Sequence, residues 1–91
     1  METDYHLRNV SEDLIEMHLD DCIRKSEMCD CARCRIDVKA FALNAFPAHY
    51  VVTDFGDALT RTHALSVQFK VDVITAIMKG VVLVKKNPRH E

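Results

Sequence analysis

Three of the chain's four cysteines stand within six residues, Cys29-Asp30-Cys31-Ala32-Arg33-Cys34, and this C-x-C-x2-C cluster constrains the fold more than any other feature. Neighbouring thiolates on one short turn can converge on a small soft cation at about 2.3 Å each, whereas a disulfide between any two of them would close a very small, strained ring. The spacing predicts a metal-binding turn, with zinc as the ion. Charged Asp30, Arg33 and Arg35 lie between and beside the cysteines, so the three thiols cannot all serve as small buried hydrophobes. Arg33, Arg35 and Lys39 are placed to offset the negative charge of thiolate-bound zinc. A redox role is disfavoured, because Cys31-x-x-Cys34 lacks the strand-then-helix setting of thioredoxin-like motifs.

Three ligands do not close a tetrahedral site. Cys22 is one candidate for the fourth, near the end of the first helix, although it also continues that helix's apolar stripe. His90 is the other, just past Pro88, where the chain can fold back on the cysteine turn. His18 and His49 are further imidazoles without a ligand pattern around them.

The 91 residues predict a single domain, 1–91, too small to bury much of its surface without a metal or a partner chain. A net charge of −2 gives no bulk attraction for a phosphate backbone, and the basic end Lys85-Lys86-Asn87-Pro88-Arg89-His90 is too short to reverse that, so nucleic-acid binding is disfavoured. The first residues are acidic and carry neither an apolar run nor a cleavage site, which predicts a cytoplasmic protein whose thiols stay reduced. No stretch reaches the roughly 18 consecutive apolar residues of a membrane span.

Leu7, Val10, Leu14, Ile15, Leu19, Cys22 and Ile23 recur at three- and four-residue steps and predict an amphipathic helix over about residues 5 to 26, with Ser11 able to cap a shorter version. After the cysteine turn, Asp37–Ala45 predicts a second helix of about three turns, stopped by Pro47. Ala48–Thr53 reads as extended or loop. From Asp57 or Thr62 a long helical pattern runs to Lys86, carrying Phe69, Val73, Ile77 and Val81 on one side and Val71, Ile74 and Met78 on another. Two apolar sides on one helix exceed what a core this small can cover, which predicts burial against a second copy. Gly80 inside this helix reads as a cost of about 1 kcal/mol.

Chemistry beyond the cysteines is thin. Only Gly56 and Gly80 are present, so no glycine loop can cradle a phosphate, and no serine sits in a nucleophile elbow. A thiolate-rich zinc is a poor Lewis acid and points to structure rather than catalysis.

The stretch from Cys29 to Val38, followed by Ala42-Leu43-Asn44, then Pro47 and Tyr50-Val51, resembles the late competence development protein ComFB family over nearly the whole chain. The resemblance implies a small cytoplasmic helical protein that forms homodimers and holds one zinc per subunit. By motif position it matches Cys29, Cys31 and Cys34 to zinc ligands. It sets the fourth ligand past the proline after the last helix, near His90, and gives Cys22 no counterpart. It also implies links to competence and, in some lineages, to type IV pilus motility and cyclic di-GMP sensing. Relatives that resemble nucleotide receptors often carry an arginine after the A-L-N triplet, where this chain has Ala45, leaving Arg61, Lys39 and Tyr50 to supply charge and stacking.

The expectation is therefore an all-α domain of three to four helices with a zinc-binding cysteine turn, forming a homodimer. Its function is non-enzymatic: a regulatory or accessory role in competence or pilus-linked processes, through a protein partner the sequence does not name. The alternative is a cyclic di-GMP receptor with the ligand in the dimer groove.

Overall fold

The computed structural model describes residues 5–87, which fold as four helices and one short ribbon. The helices are α1 (Val10–Ser26), α2 (Ala32–Ala45), α3 (Asp54–His63) and α4 (Val67–Lys86). The ribbon pairs β1 (Arg8–Asn9) with β2 (Tyr50–Val51), antiparallel, with Arg8 opposite Val51 and Asn9 opposite Tyr50.

Helix α1 buries the predicted stripe except Leu7, which lies ahead of the helix and is exposed: Val10, Leu14, Ile15, Leu19, Cys22 and Ile23 are all in the core. Its start differs from expectation. Residues before Val10 run beside β2 instead of continuing the helix, and the cap is Asn9, whose Oδ1 accepts from the Ser11 amide at 3.1 Å and from the His49 amide at 2.8 Å. Ser11 lies inside the helix, fully buried, where its hydroxyl donates to the Pro47 carbonyl at 2.7 Å and meets His49 Nδ1 at 2.8 Å. A buried hydroxyl needs such partners, and here they tie the start of α1 to the loop after α2.

Helix α2 begins at Ala32, five residues before the predicted Asp37, because Cys31 itself serves as the N-cap. It ends at Ala45 ahead of Pro47, as proline's restriction of the preceding residue dictates. The predicted long C-terminal helix is two helices. The amides of Leu65 and Ser66 bond to the carbonyls of Thr62 and His63, tightening the chain out of α-helical register, and the Ser66 hydroxyl then accepts from the Phe69 amide at 3.2 Å to cap α4. A serine cap thus overrides an apolar pattern that runs through the break.

Helix α3 buries no residue of its own. Ions hold it down: Arg61 reaches Asp13 of α1 at 2.6 Å and Asp57 on its own helix, while Arg8 reaches Asp13 and, at 3.5 Å, Asp57. Single exposed pairs contribute about 0–1 kcal/mol, but four charges sharing partners form a network.

Helices α1, α2 and α4 enclose the core. The inner face of α4 buries Val73, Ala76, Ile77, Gly80, Val81 and Val84, while Val67, Val71, Met78 and Val82 stay exposed on the other side. Of the expected second side, Val71 and Met78 are exposed while Ile74 is half-buried against the core, and Val67 and Val82 extend the exposed line. Gly80 is where α4 meets α2: a Cβ there would stand 3.1 Å from the Val38 carbonyl oxygen and 3.3 Å from Phe41 Cβ. The glycine permits the close approach of two backbones, which the sequence pattern alone could not reveal.

Gly80→Ala would add about 1 kcal/mol of helix propensity, but the backbone oxygen of Val38 cannot turn aside, and overpacking costs typically 1–3 kcal/mol. Chemical denaturation is expected to find the variant less stable; a gain would mean that α2 and α4 separate freely. The Asp57 carboxyl is held below its ordinary 3.8 chiefly by the Arg61 hydrogen bond, which burial opposes and the charges of Arg61, Arg8 and His6 reinforce. A depressed folded-state pKa gives stability that is present above the ordinary carboxylate range and is lost as pH falls through the folded value. Amide protection in α3 should therefore drop in acid before that of α1 and α4, and Asp57→Asn should bring the same loss at neutral pH.

Candidate metal centre

The chain enters the cysteine turn through a sharp reversal. Glu27 closes α1 in the left-handed conformation, φ 59°, and donates its amide to the Arg24 carbonyl. Met28 then turns inward and is buried, which anchors the turn before Cys29. Cys29 is exposed, Cys31 caps α2, and Cys34 sits in the first turn of α2 with its side chain fully buried.

The three Sγ atoms lie within 4.8 Å of one another. Tetrahedral zinc with bonds of about 2.3 Å sets its sulfurs ~3.8 Å apart, so a small contraction brings the three onto one ion. The Cys34 amide donates to Cys31 Sγ at 3.4 Å, and the positive end of the α2 dipole favours negative charge at that sulfur. The Cys34 thiol is pushed up to about 12, first by burial, then by hydrogen bonds to Cys31 and Cys29 and by their charges. Crowded thiols of this kind resist ionising together unless a cation joins them, and three soft sulfur donors suit zinc over magnesium or calcium. The donor set fits the predicted group.

The other expected ligands fall elsewhere. Cys22 is buried in the core on α1, its thiol raised chiefly by burial, and is not among the three converging sulfurs. His49 belongs to the Ser11 network, with its ring 5.6 Å from Phe46 and 5.3 Å from Phe69. His90 lies outside the described residues. The cations expected to neutralise the cluster each have an acidic partner: Arg33 with Asp37 at 3.2 Å, Arg35 with Asp20, and Lys39 with Glu16 at 2.9 Å. Sequence reasoning missed Lys85, whose ammonium donates to the Ser26 carbonyl at 2.6 Å and brings the end of α4 beside the end of α1. A lysine in the last turn of a helix was its only signal.

The sequence model of the late competence development protein ComFB family matches residues 8–88. The chain belongs to this family. Its fold is similar to that of a solved structure described as the late competence protein ComFB from Bacillus subtilis, with a TM-score of 0.80, 25% identity, and 92% of this chain and 93% of that one covered. Among curated proteins, no sequence matches significantly. ComFB membership makes this a competence-related protein. It also carries the helical architecture expected from the motif order. Among the described residues, no helix is long and apolar enough to cross a membrane. Of the groups considered for nucleotide binding in this ComFB chain, Arg61 is held by Asp13 and Asp57, Lys39 is held by Glu16, and Tyr50 is exposed.

Cobalt in place of zinc gives thiolate-to-metal absorption whose intensity follows the number of sulfurs bound. Serine at Cys29, Cys31 or Cys34 is expected to weaken that absorption, and serine at Cys22 to leave it intact. Equal losses at all four positions would place Cys22 among the ligands.

Proposed function

We propose that this ComFB-family chain is a non-enzymatic, zinc-binding homodimer that serves as an accessory or regulatory factor in a competence-related process by docking on another protein. The convergence of Cys29, Cys31 and Cys34 on one turn carries the reading. Zinc there is structural: a thiolate-rich site is a poor Lewis acid, and the ion ties the α1–α2 turn to the core through Cys34. His90 supplies the fourth ligand. Support comes from the Lys85–Ser26 contact, since five residues beyond Lys85 span up to ~17 Å and the cysteine turn begins three residues beyond Ser26.

The dimer rests on the outer side of α4, where Val67, Val71, Met78 and Val82 form an exposed apolar line beside half-buried Ile74. Two copies related by a two-fold axis bury this line against itself. Reduced thiols at the zinc turn suit a cytoplasmic setting.

Protein purified without chelator is expected to hold one zinc per chain, and elemental analysis finding none would overturn the metal reading. In competitive zinc titration His90→Ala should loosen the ion more than Cys22→Ser. Light scattering should give twice the 10.4 kDa chain mass at tens of micromolar, with Val71→Asp and Val82→Asp halving it without loss of helicity. A wild-type monomer under those conditions would remove the dimer.

A further inference from the structure

A partly enclosed cavity of about 150 Å³ lies between α1, the α3–α4 elbow and the first turns of α4. Its apolar lining includes Leu14, Phe69 and Val73, and its basic groups are His18, Arg61 and Lys70. The chain carries 14 acidic side chains against 12 lysines and arginines, yet none of the acids lines this cavity. Arg61 turns toward Asp13 and Asp57, but Lys70 is exposed, and neither it nor His18 makes an ion pair among the described residues.

We infer that this cavity binds a small amphipathic monocarboxylate, its hydrocarbon part against Leu14, Phe69 and Val73 and its carboxylate at Lys70 and His18. The volume decides the size class. At ~30 Å³ per displaced water it replaces about five waters, which suits a short aliphatic or single-ring acid and excludes a nucleotide. Charge decides the head group: with Arg61 balanced by Asp13 and Asp57, Lys70 and His18 are left to draw a carboxylate, and Lys70 repels an ammonium. The site is separate from the metal turn and borders the proposed dimer line at one edge. At ~100° per residue, Val73 leaves α4 well away from Val71, Met78 and Val82, while Lys70 neighbours Val67 and Ile74.

Hexanoate tests this in an amide-shift NMR titration of the full chain, with hexanol and hexylamine as neutral and cationic analogues of the same tail. Hexanoate should give saturable shifts centred on Leu14, Phe69 and Val73, with hexanol about tenfold weaker for want of a charge-assisted hydrogen bond, and hexylamine weaker still. Lys70→Glu alters only an exposed side chain and should weaken hexanoate about tenfold while leaving hexanol unchanged. Hexanol matching hexanoate, or Lys70→Glu leaving hexanoate unchanged, would reduce the site to an apolar dent and overturn the inference. So would hexanoate shifts centred elsewhere, or cavity shifts that follow protein concentration without ligand, which would give the cavity to a second copy.

Discussion

The backbone contact between α4 and α2 at Gly80 governs the arrangement of the rest. With a hydrogen in place of a side chain, α4 approaches to where a Cβ would lie 3.1 Å from the Val38 carbonyl oxygen. Val38 is the middle of a line, Cys34, Val38 and Ala42, that repeats every four residues along α2 and is fully buried throughout. The first member of that line is a thiol of the candidate metal turn. Core packing and site geometry are thus set by one helix face, and Lys85, a little over a turn beyond Gly80, reaches the end of α1 because of the same crossing.

What the sequence made legible were features written in local chemistry. The α1 stripe, the stop at Pro47 and the cysteine spacing each depend on residues close together in the chain, and each stands in the structure. Less legible were features decided across the chain. Ser11 reads as a cap, but its hydroxyl is taken by Pro47 and His49, 36 and 38 residues away, and the cap passes to Asn9. The pattern from Asp57 to Lys86 reads as one helix because apolar residues continue through the elbow, while the break depends on the Ser66 hydroxyl. Gly80 reads as a weak point because the neighbour that makes it necessary lies on another helix.

Cys34 answers to two demands that a core residue rarely meets together. As a neutral thiol it packs like a small hydrophobe between α1, α2 and α4, and burial resists its ionisation. As a metal ligand it must lose its proton, so ion binding releases protons and draws on a site that only the folded chain assembles. Structural zinc in small peptides contributes apparent free energies of ~10–16 kcal/mol, against the 5–15 kcal/mol that holds a typical domain together. For a chain this short, an ion at Cys34 would rank with the net stability of the whole fold.

Charge around the turn bears on which ligand completes it. Three thiolates on a divalent cation leave one net negative charge, and a fourth thiolate would leave two. The neighbouring cations have little left to offer, since Arg33, Arg35 and Lys39 face Asp37, Asp20 and Glu16. A neutral imidazole adds no charge to be balanced. Cys22 would add one, and to reach the turn it would also have to leave a core position that is 7% exposed, opening a cavity beside Leu19 and Ile23. Electrostatics and packing therefore both favour a histidine over the remaining cysteine as a fourth ligand, and the contact of Lys85 with Ser26 brings the end of α4 beside the end of α1, three residues before the turn.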